Sequence, residues 1–402
     1  MAGRHKHESE SSCASCESHP EKPTPANDVV LNKYIEAGKI AQQVMQEIIP
    51  KIVAEASVAQ LCIDGDKRML ELTANYRKSD TKLKRGIAQP VSISVNNVVC
   101  GYAPLPSDQD SILEDGDMAK IELGVHIDGF IGTCAHTVVV GASKDNKVTG
   151  PKADVMTAAY NGMELAIRML RAGQFKSTEV SAKIDDLALI YQVKPIENTV
   201  FHQMEQDVMD LEMNKYVVLN LSEQQKFQLR KSEVEAYDFE PYEVYAVNIF
   251  MSTGDGKART HTGLTTMYRR LEDAVYNLKM KASRIFYSEI TQKHGTFVFN
   301  IRDCEDENKT KMGVVECVRH GLLKAYPVCA GDDQAYVAQF KSTVIIQPNG
   351  LLKTCAVPLD TEVVDSKVEI NNPEIKKILM SSLKPKKKGV HKAGAPAAEP
   401  EV

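Results

Sequence analysis

The chain has 402 residues, is 43% hydrophobic and carries a formal net charge of −5, which supplies core enough for one large two-lobed domain or two ordinary ones. No run approaches the roughly 18 apolar residues that a membrane helix needs, and no apolar stretch follows Arg4, His5, Lys6 and His7, so neither spanning nor secretion is expected. Nine cysteines without a spacing framework, in a chain too long to need disulfides, are expected as reduced thiols at an intracellular address.

In chain order, residues 1–27 read as a disordered tail. Cys13 and Cys16, with His5, His7 and His19 nearby, have a spacing that could bind zinc, but their Ser/Glu/Pro-rich surroundings hold almost no apolar residues. From 29 to 56, Leu31, Ile35, Ala41, Met45, Ile48 and Ile52 recur as on one face of a long amphipathic helix. Arg77, Lys78, Lys82, Lys84 and Arg85 read as a helix end running into a turn at Gly86. Alternating or apolar runs at 91–95, 120–126 and 130–140, separated by turn residues at 115–117 and 128–129, predict strands and hairpins. Pro151 opens a helical stretch through Leu170, and a second helical pattern spans 178–191. Strand-like segments return at 217–221, 244–251 and 337–346, so the order implies an α+β fold.

Between 265 and 333 the texture changes. Helical patterns at 283–293 and 311–324 surround a short strand at 297–300, which reads as an inserted helical subdomain within a main domain of residues 28–264 and 334–372. The remainder, 373–402, reads as a helix end followed by a lysine-rich disordered tail. Seven lysines and no acid lie between Glu374 and Glu399. Lys384, Lys386, Lys387, Lys388 and Lys392, interrupted by Pro385 and Gly389, form a composition that does not fold alone but can neutralise phosphates. Nucleic acid or a localisation receptor fits that block, as does a plain solvated tail.

Several motifs carry a resemblance. PVSISVNN at 90–97, KIELGVH at 120–126, VYAVN at 244–248, STG at 252–254 and VAQF at 337–340 resemble type II methionine aminopeptidases over about residues 28–360. SDQD at 107–110, VTGPKAD at 148–154 and KMGVVEC at 311–317 are more similar still to the proliferation-associated, or ErbB-receptor-binding, proteins. The resemblance implies the pita-bread fold: two pseudo-symmetric α/β halves facing a central pocket, with a helical insertion.

In the aminopeptidase pattern, four acids and one histidine hold two divalent ions about 3.5–4 Å apart, which polarise the scissile carbonyl and activate a hydroxide. Carried over by motif, those positions are Glu122, Thr133, His202, Asn248 and Lys341. Glu122 and His202 could still coordinate; Thr133, Asn248 and Lys341 cannot serve, and four negative charges become none net. No metal, cofactor or catalysis is therefore expected. Two substrate-site histidines of the pattern fall on Gly101 and Asp210. Lys341 is expected to place its ammonium in the vacated pocket against Glu122. His202 reads as a hydrogen-bonded core histidine or a single-metal ligand.

Other catalytic patterns are weak. The loop at 252–257 lacks Walker spacing, and Cys134 has only His136 beside it on the strand. The family resemblance implies binding of structured RNA and large ribosomal particles, with roles in ribosome biogenesis, translation and growth regulation, in the cytoplasm and in the nucleus including the nucleolus. Implied partners are ribosomal RNA and the large subunit, then other RNA and signalling or transcription proteins. On the insertion, Lys279, Lys281, Arg284, Lys309, Lys311, Arg319 and Lys324 are candidate phosphate contacts beside the tail. The tail is shorter than the family pattern leads one to expect, and residues 375–380 lack the leucine spacing of a nuclear-receptor cofactor motif. The alternatives are a signalling adaptor that binds peptide or protein partners in the vacated pocket, and a residual metalloaminopeptidase.

Overall fold

The computed structural model of the protein describes residues 22–208, 215–221 and 236–384. The expectation of disorder for 1–27 therefore falls mostly outside the described residues, as does most of the lysine-rich tail. Asn27 caps α1 (Asp28–Ile48), its side chain accepting from the Val29 amide at 2.8 Å. The periodicity predicts this helix to residue 56, but it stops at Ile48 and gives way to a 3-10 turn, Ile49–Lys51. Pro50 has no N–H with which to continue the ladder. Ser57 then caps α2 (Val58–Asn75), a helix that the 29–56 pattern does not announce. Gly86, expected in a turn, lies inside strand β1 (Arg85–Val95), which β2 (Val98–Cys100) follows.

A hairpin joins β3 (Met118–Ile127) to β4 (Phe130–Val139). Its two turn residues, Asp128 and Gly129, have φ of 54° and 83°, as a two-residue hairpin requires. Helices α3 (Gly150–Met169) and α4 (Ser177–Ile190) come next. Then follow β5 (Lys194–Pro195), β6 (Thr199–Gln203), β7 (Tyr216–Leu219), β8 (Val244–Ser252) and β9 (Arg259–His261).

Residues 265–333 are less helical than their pattern suggests. They hold β10 (Met267–Arg270), α5 (Lys281–His294), β11 (Val298–Asn300), α6 (Glu307–Arg319) and β12 (Leu323–Tyr326). The three strands form their own sheet in the order β11-β10-β12, and Phe286, Phe299, Val314 and Leu323 share a core with them. The helical pattern at 311–324 ends early because Gly321, at φ 69°, turns the chain into β12. Arg302 ties this unit to the first half: its Nε donates to Asp66 Oδ2 at 2.9 Å, and its Nη2 donates to the Val91 carbonyl at 2.9 Å.

The chain returns through β13 (Val328–Ala330), β14 (Val337–Gln347), β15 (Gly350–Lys353) and α7 (Pro373–Leu379). The main sheet has nine strands, ordered β1-β3-β4-β14-β8-β6-β7, with β15 on β14 and β5 on β8. Helices α1 and α2 cover the Ile121, Leu123 and Cys134 side of the first half. Helices α3 and α4 cover the Val247, Ile249 and Phe340 side of the second. Strand alternation with this register places both helix layers on one face of the sheet; the other face carries the polar side chains beside a small apolar cluster that includes Ile131, Val244, Ala246 and Ile345.

The two halves meet where β4 lies beside β14. Here Thr343 Oγ1 accepts from the Thr133 amide at 2.9 Å and donates to the Thr133 carbonyl at 3.0 Å. Thr137 Oγ1 does the same for Gln339, at 2.8 and 2.7 Å. The C-terminal segment is clamped as well, since Arg168 Nε donates to the Ser381 carbonyl at 3.1 Å and the Leu351 amide to the Leu383 carbonyl at 3.0 Å.

A close helix–sheet approach occurs at Gly132, where a Cβ would lie 2.3 Å from the Gly38 nitrogen on α1. Only backbone stands in the way, so neither partner can yield. Gly132→Ala is expected to destabilise the protein by about 3 kcal/mol, seen as a lowered midpoint in thermal or urea unfolding. An unchanged midpoint would contradict this packing.

Candidate functional site

The five carried-over positions lie on adjacent strands and on the polar face. Glu122 on β3 is opposite Ala135 on β4, Ala135 is opposite Lys341 on β14, and Lys341 is opposite Asn248 on β8. His202 on β6 is opposite Ala246, two residues from Asn248, and Thr133 is two residues from Ala135. Glu122 and Lys341 are thus separated by two strand spacings, about 9.6 Å, which a lysine stem spans only if the residue between them is small. Ala135 is that residue. Lys341 Nζ donates to Glu122 Oε1 at 2.8 Å, with each side chain 11% exposed. This is the pairing that the charge count leads one to expect.

The other positions are occupied locally. Asn248 Oδ1 accepts from Gln339 Nε2 at 3.1 Å, and Thr133 Oγ1 donates to the Leu123 carbonyl at 2.9 Å. His202 Nδ1–H donates to the Gln203 carbonyl at 2.9 Å. Burial, with a smaller push from the Lys341 cation, brings the His202 imidazole down to about 4, so it is neutral near pH 7. Among the described residues, no group of three or more His, Cys, Asp or Glu side chains converges as metal ligands would. The donor set does not fit two dications: one carboxylate remains, and an ammonium holds one of its oxygens.

Gly101 sits at φ 84°, and a Cβ there would lie 2.8 Å from the Pro327 carbonyl oxygen, so this backbone leaves no room for a histidine. Asp210, Lys386, Lys387, Lys388 and Lys392 lie outside the described residues, and Lys384 is the last described residue. On the inserted unit, Lys279, Lys281, Arg284, Lys309, Lys311, Arg319 and Lys324 are all exposed. They do not contribute equally. Lys309 is paired with Asp306 at 2.7 Å and Lys311 with Glu307 at 2.6 Å, while Arg284 Nη1 donates to the carbonyls of Leu278 and Lys279. Lys279, Lys281, Arg319 and Lys324 have no ion-pair partner among the described residues.

Lys120 belongs to the same polar face and escaped the motif comparison. Its Nζ donates to the Asn96 carbonyl at 2.9 Å, and burial pulls its ammonium down to about 7. It stands two residues before Glu122, so the period-two alternation of a strand could have revealed it.

The comparisons with known proteins agree with this geometry. The profile of metallopeptidase family M24 matches residues 32–258. ErbB-3 binding protein 1 of Solanum tuberosum is 40% identical over 362 residues, covering 90% of this chain and 89% of that protein. The curved DNA-binding protein of Schizosaccharomyces pombe is 34% identical over 363 residues, covering 89% of this chain and 92% of that one. The solved structure of a thermophilic Arx1 superposes with a TM-score of 0.80 at 28% identity, covering 89% of this chain and all of that one. The two-halved sheet backed by helices is therefore the pita-bread fold. The chain belongs to metallopeptidase family M24, in the branch whose members carry the names ErbB-3 binding protein 1 and proliferation-associated protein.

Removing one partner of the Lys341–Glu122 pair leaves a buried charge uncompensated. Lys341→Met is expected to cost about 3 kcal/mol in chemical denaturation, and Glu122→Gln added to it should recover most of that loss. Additive losses in the double variant would contradict a direct pair.

Two further buried histidines set a pH dependence. Burial holds His126 and His136 at about 4. The unfolded chain, with imidazoles near 6.5, takes up protons that the folded chain refuses, so stability rises with pH between about 4 and 6.5 and is complete above. The melting temperature is expected to fall from pH 7 to pH 5. His136→Leu should remove up to about 1.4 kcal/mol per pH unit of that slope.

Proposed function

We propose that this protein is a non-catalytic member of the M24 family that binds structured RNA on the large ribosomal subunit, acting in ribosome biogenesis, translation and growth regulation. The observation that carries the non-catalytic part is the Lys341 ammonium on Glu122, where an aminopeptidase needs uncompensated carboxylates. Thr133 and Asn248 are hydrogen-bonded to neighbours rather than free as ligands, and one carboxylate with one imidazole is too small a donor set for two dications.

The RNA part rests on charge placement. The pocket is neutralised, whereas cations gather at the periphery, on the inserted unit and from Lys384 onward. The names of two relatives record binding, of ErbB-3 and of curved DNA, and a nucleic-acid-binding relative supports a phosphate-facing surface here. Ribosomal RNA as the particular target, and residence in both cytoplasm and nucleus including the nucleolus, follow from the resemblance to the proliferation-associated family.

Co-sedimentation of the purified chain with large ribosomal subunits across a salt series tests the proposal. Binding should fall steeply as salt rises. Truncation after Leu383 removes five lysines and should flatten the log–log salt slope by up to about 4. Lys341→Met together with Glu122→Gln should leave binding unchanged. Absence of binding at low salt would sink the ribosomal reading, and turnover of a methionyl peptide by the unmodified chain would sink the non-catalytic one.

A further inference from the structure

The neck of the inserted unit is a second three-stranded sheet, β2-β13-β9, in which the chain enters the unit through β9 and leaves it through β13. Cys100 on β2 and Cys329 on β13 are register partners in this sheet, although 229 positions separate them in sequence. Directly opposed antiparallel residues have Cα atoms about 4.5–5.5 Å apart, inside the range that a disulfide spans. Both side chains are partly exposed. We propose that Cys100 and Cys329 form a reversible disulfide on reaction with a peroxide, covalently joining β2 to β13 and fixing the neck of the inserted unit.

The surroundings assign the two sulfurs different roles. Cys329 lies between Cys100 on β2 and Thr260 on β9, and these two side chains hold its thiol below the usual range, while its Sγ also lies 3.7 Å from the Pro327 carbonyl oxygen. Burial pushes Cys62 and Cys317 up to about 12 and Cys304 up to about 11. Cys134 and Cys355 also neighbour one another, but they are 2% and 0% exposed, sealed beneath the main sheet. With Thr260 opposite it on β9 as well as Cys100 on β2, Cys329 is the attacking sulfur of this proposal and Cys100 the resolving one.

The chemistry balances with the peroxide as the only oxidant. The Cys329 thiolate attacks one peroxide oxygen, the O–O bond breaks, and the departing hydroxide takes a proton to become water, leaving a sulfenic acid at Cys329. Cys100 Sγ then attacks Cys329 Sγ. The thiol proton leaves with the sulfenic hydroxyl as a second water. Two thiols lose two electrons and two protons, and the peroxide gains them.

The test uses the full, reduced chain exposed to hydrogen peroxide at pH 7. Intact mass should fall by two hydrogen atoms, and peptide mapping should find the Cys100–Cys329 link, reversed by dithiothreitol. With Cys100→Ser, dimedone should trap a sulfenic acid at Cys329; with Cys329→Ser, neither the link nor the adduct should form. Before oxidation, iodoacetamide should label Cys329 about tenfold faster than Cys304. In the oxidised chain, amide hydrogen exchange should slow in β9 and β13. Thermal melts of the serine variants establish that they fold. The proposal is overturned if the lost hydrogens map to Cys13 with Cys16 or to Cys134 with Cys355 while Cys100 and Cys329 remain thiols. It is equally overturned if Cys329 proceeds to sulfinic acid without ever linking.

Discussion

The two halves of this molecule meet along one seam, and the character of the polar face follows from how that seam is made. Strands β4 and β14 do not pair along their whole length; one register pair, Ala135 with Lys341, sits at the centre. On either side a threonine hydroxyl reaches across and binds both the amide and the carbonyl of the residue opposite, Thr343 for Thr133 and Thr137 for Gln339. The arrangement has an approximate two-fold symmetry about the central pair. It satisfies buried backbone groups that a continuous ladder would otherwise have paired. It also fixes where Lys341 starts, and Ala135 leaves open the path along which it reaches Glu122.

Within that frame the altered positions behave as a set. An acid changed to threonine or asparagine would leave a polar group in search of a partner, and a buried polar group without one is costly. Thr133 and Asn248 find theirs in the Leu123 carbonyl and the Gln339 amide, both on adjacent strands. The residue that would otherwise be an isolated buried carboxylate, Glu122, receives the ammonium. The polar face thus carries its own cation, Lys341, against its buried carboxylate.

Legibility in the sequence followed the range of the interactions. The strands at 120–126 and 244–251 are evident because alternation and short apolar runs are local signals, and Glu122 and Lys341 because their motifs flank them closely. Of helix α2 only the basic end is legible: Gly65 packs against Val91 and Asp66 accepts from the Val91 amide, so two of its inward positions are not apolar. The sheet of the inserted unit was missed for a different reason. Its strands are three or four residues long, too short for alternation to register. The Cys100–Cys329 pairing depends on register, and register between distant strands is not written in any local window.

The clamp on the C-terminal segment has a consequence for reach. Ser381 and Leu383 are hydrogen-bonded to Arg168 and Leu351, so the chain from Lys384 onward starts at a fixed point on the body of the protein. From Lys384 to Lys392 there are eight steps, and a fully extended chain spans at most about 27 Å over that distance. The lysine block is therefore on a short leash: it can engage only phosphates within that radius of the α3–β15 edge. In the proposed complex, the lysines would meet phosphates inside that radius at a high effective concentration, and phosphates farther away would gain nothing from them.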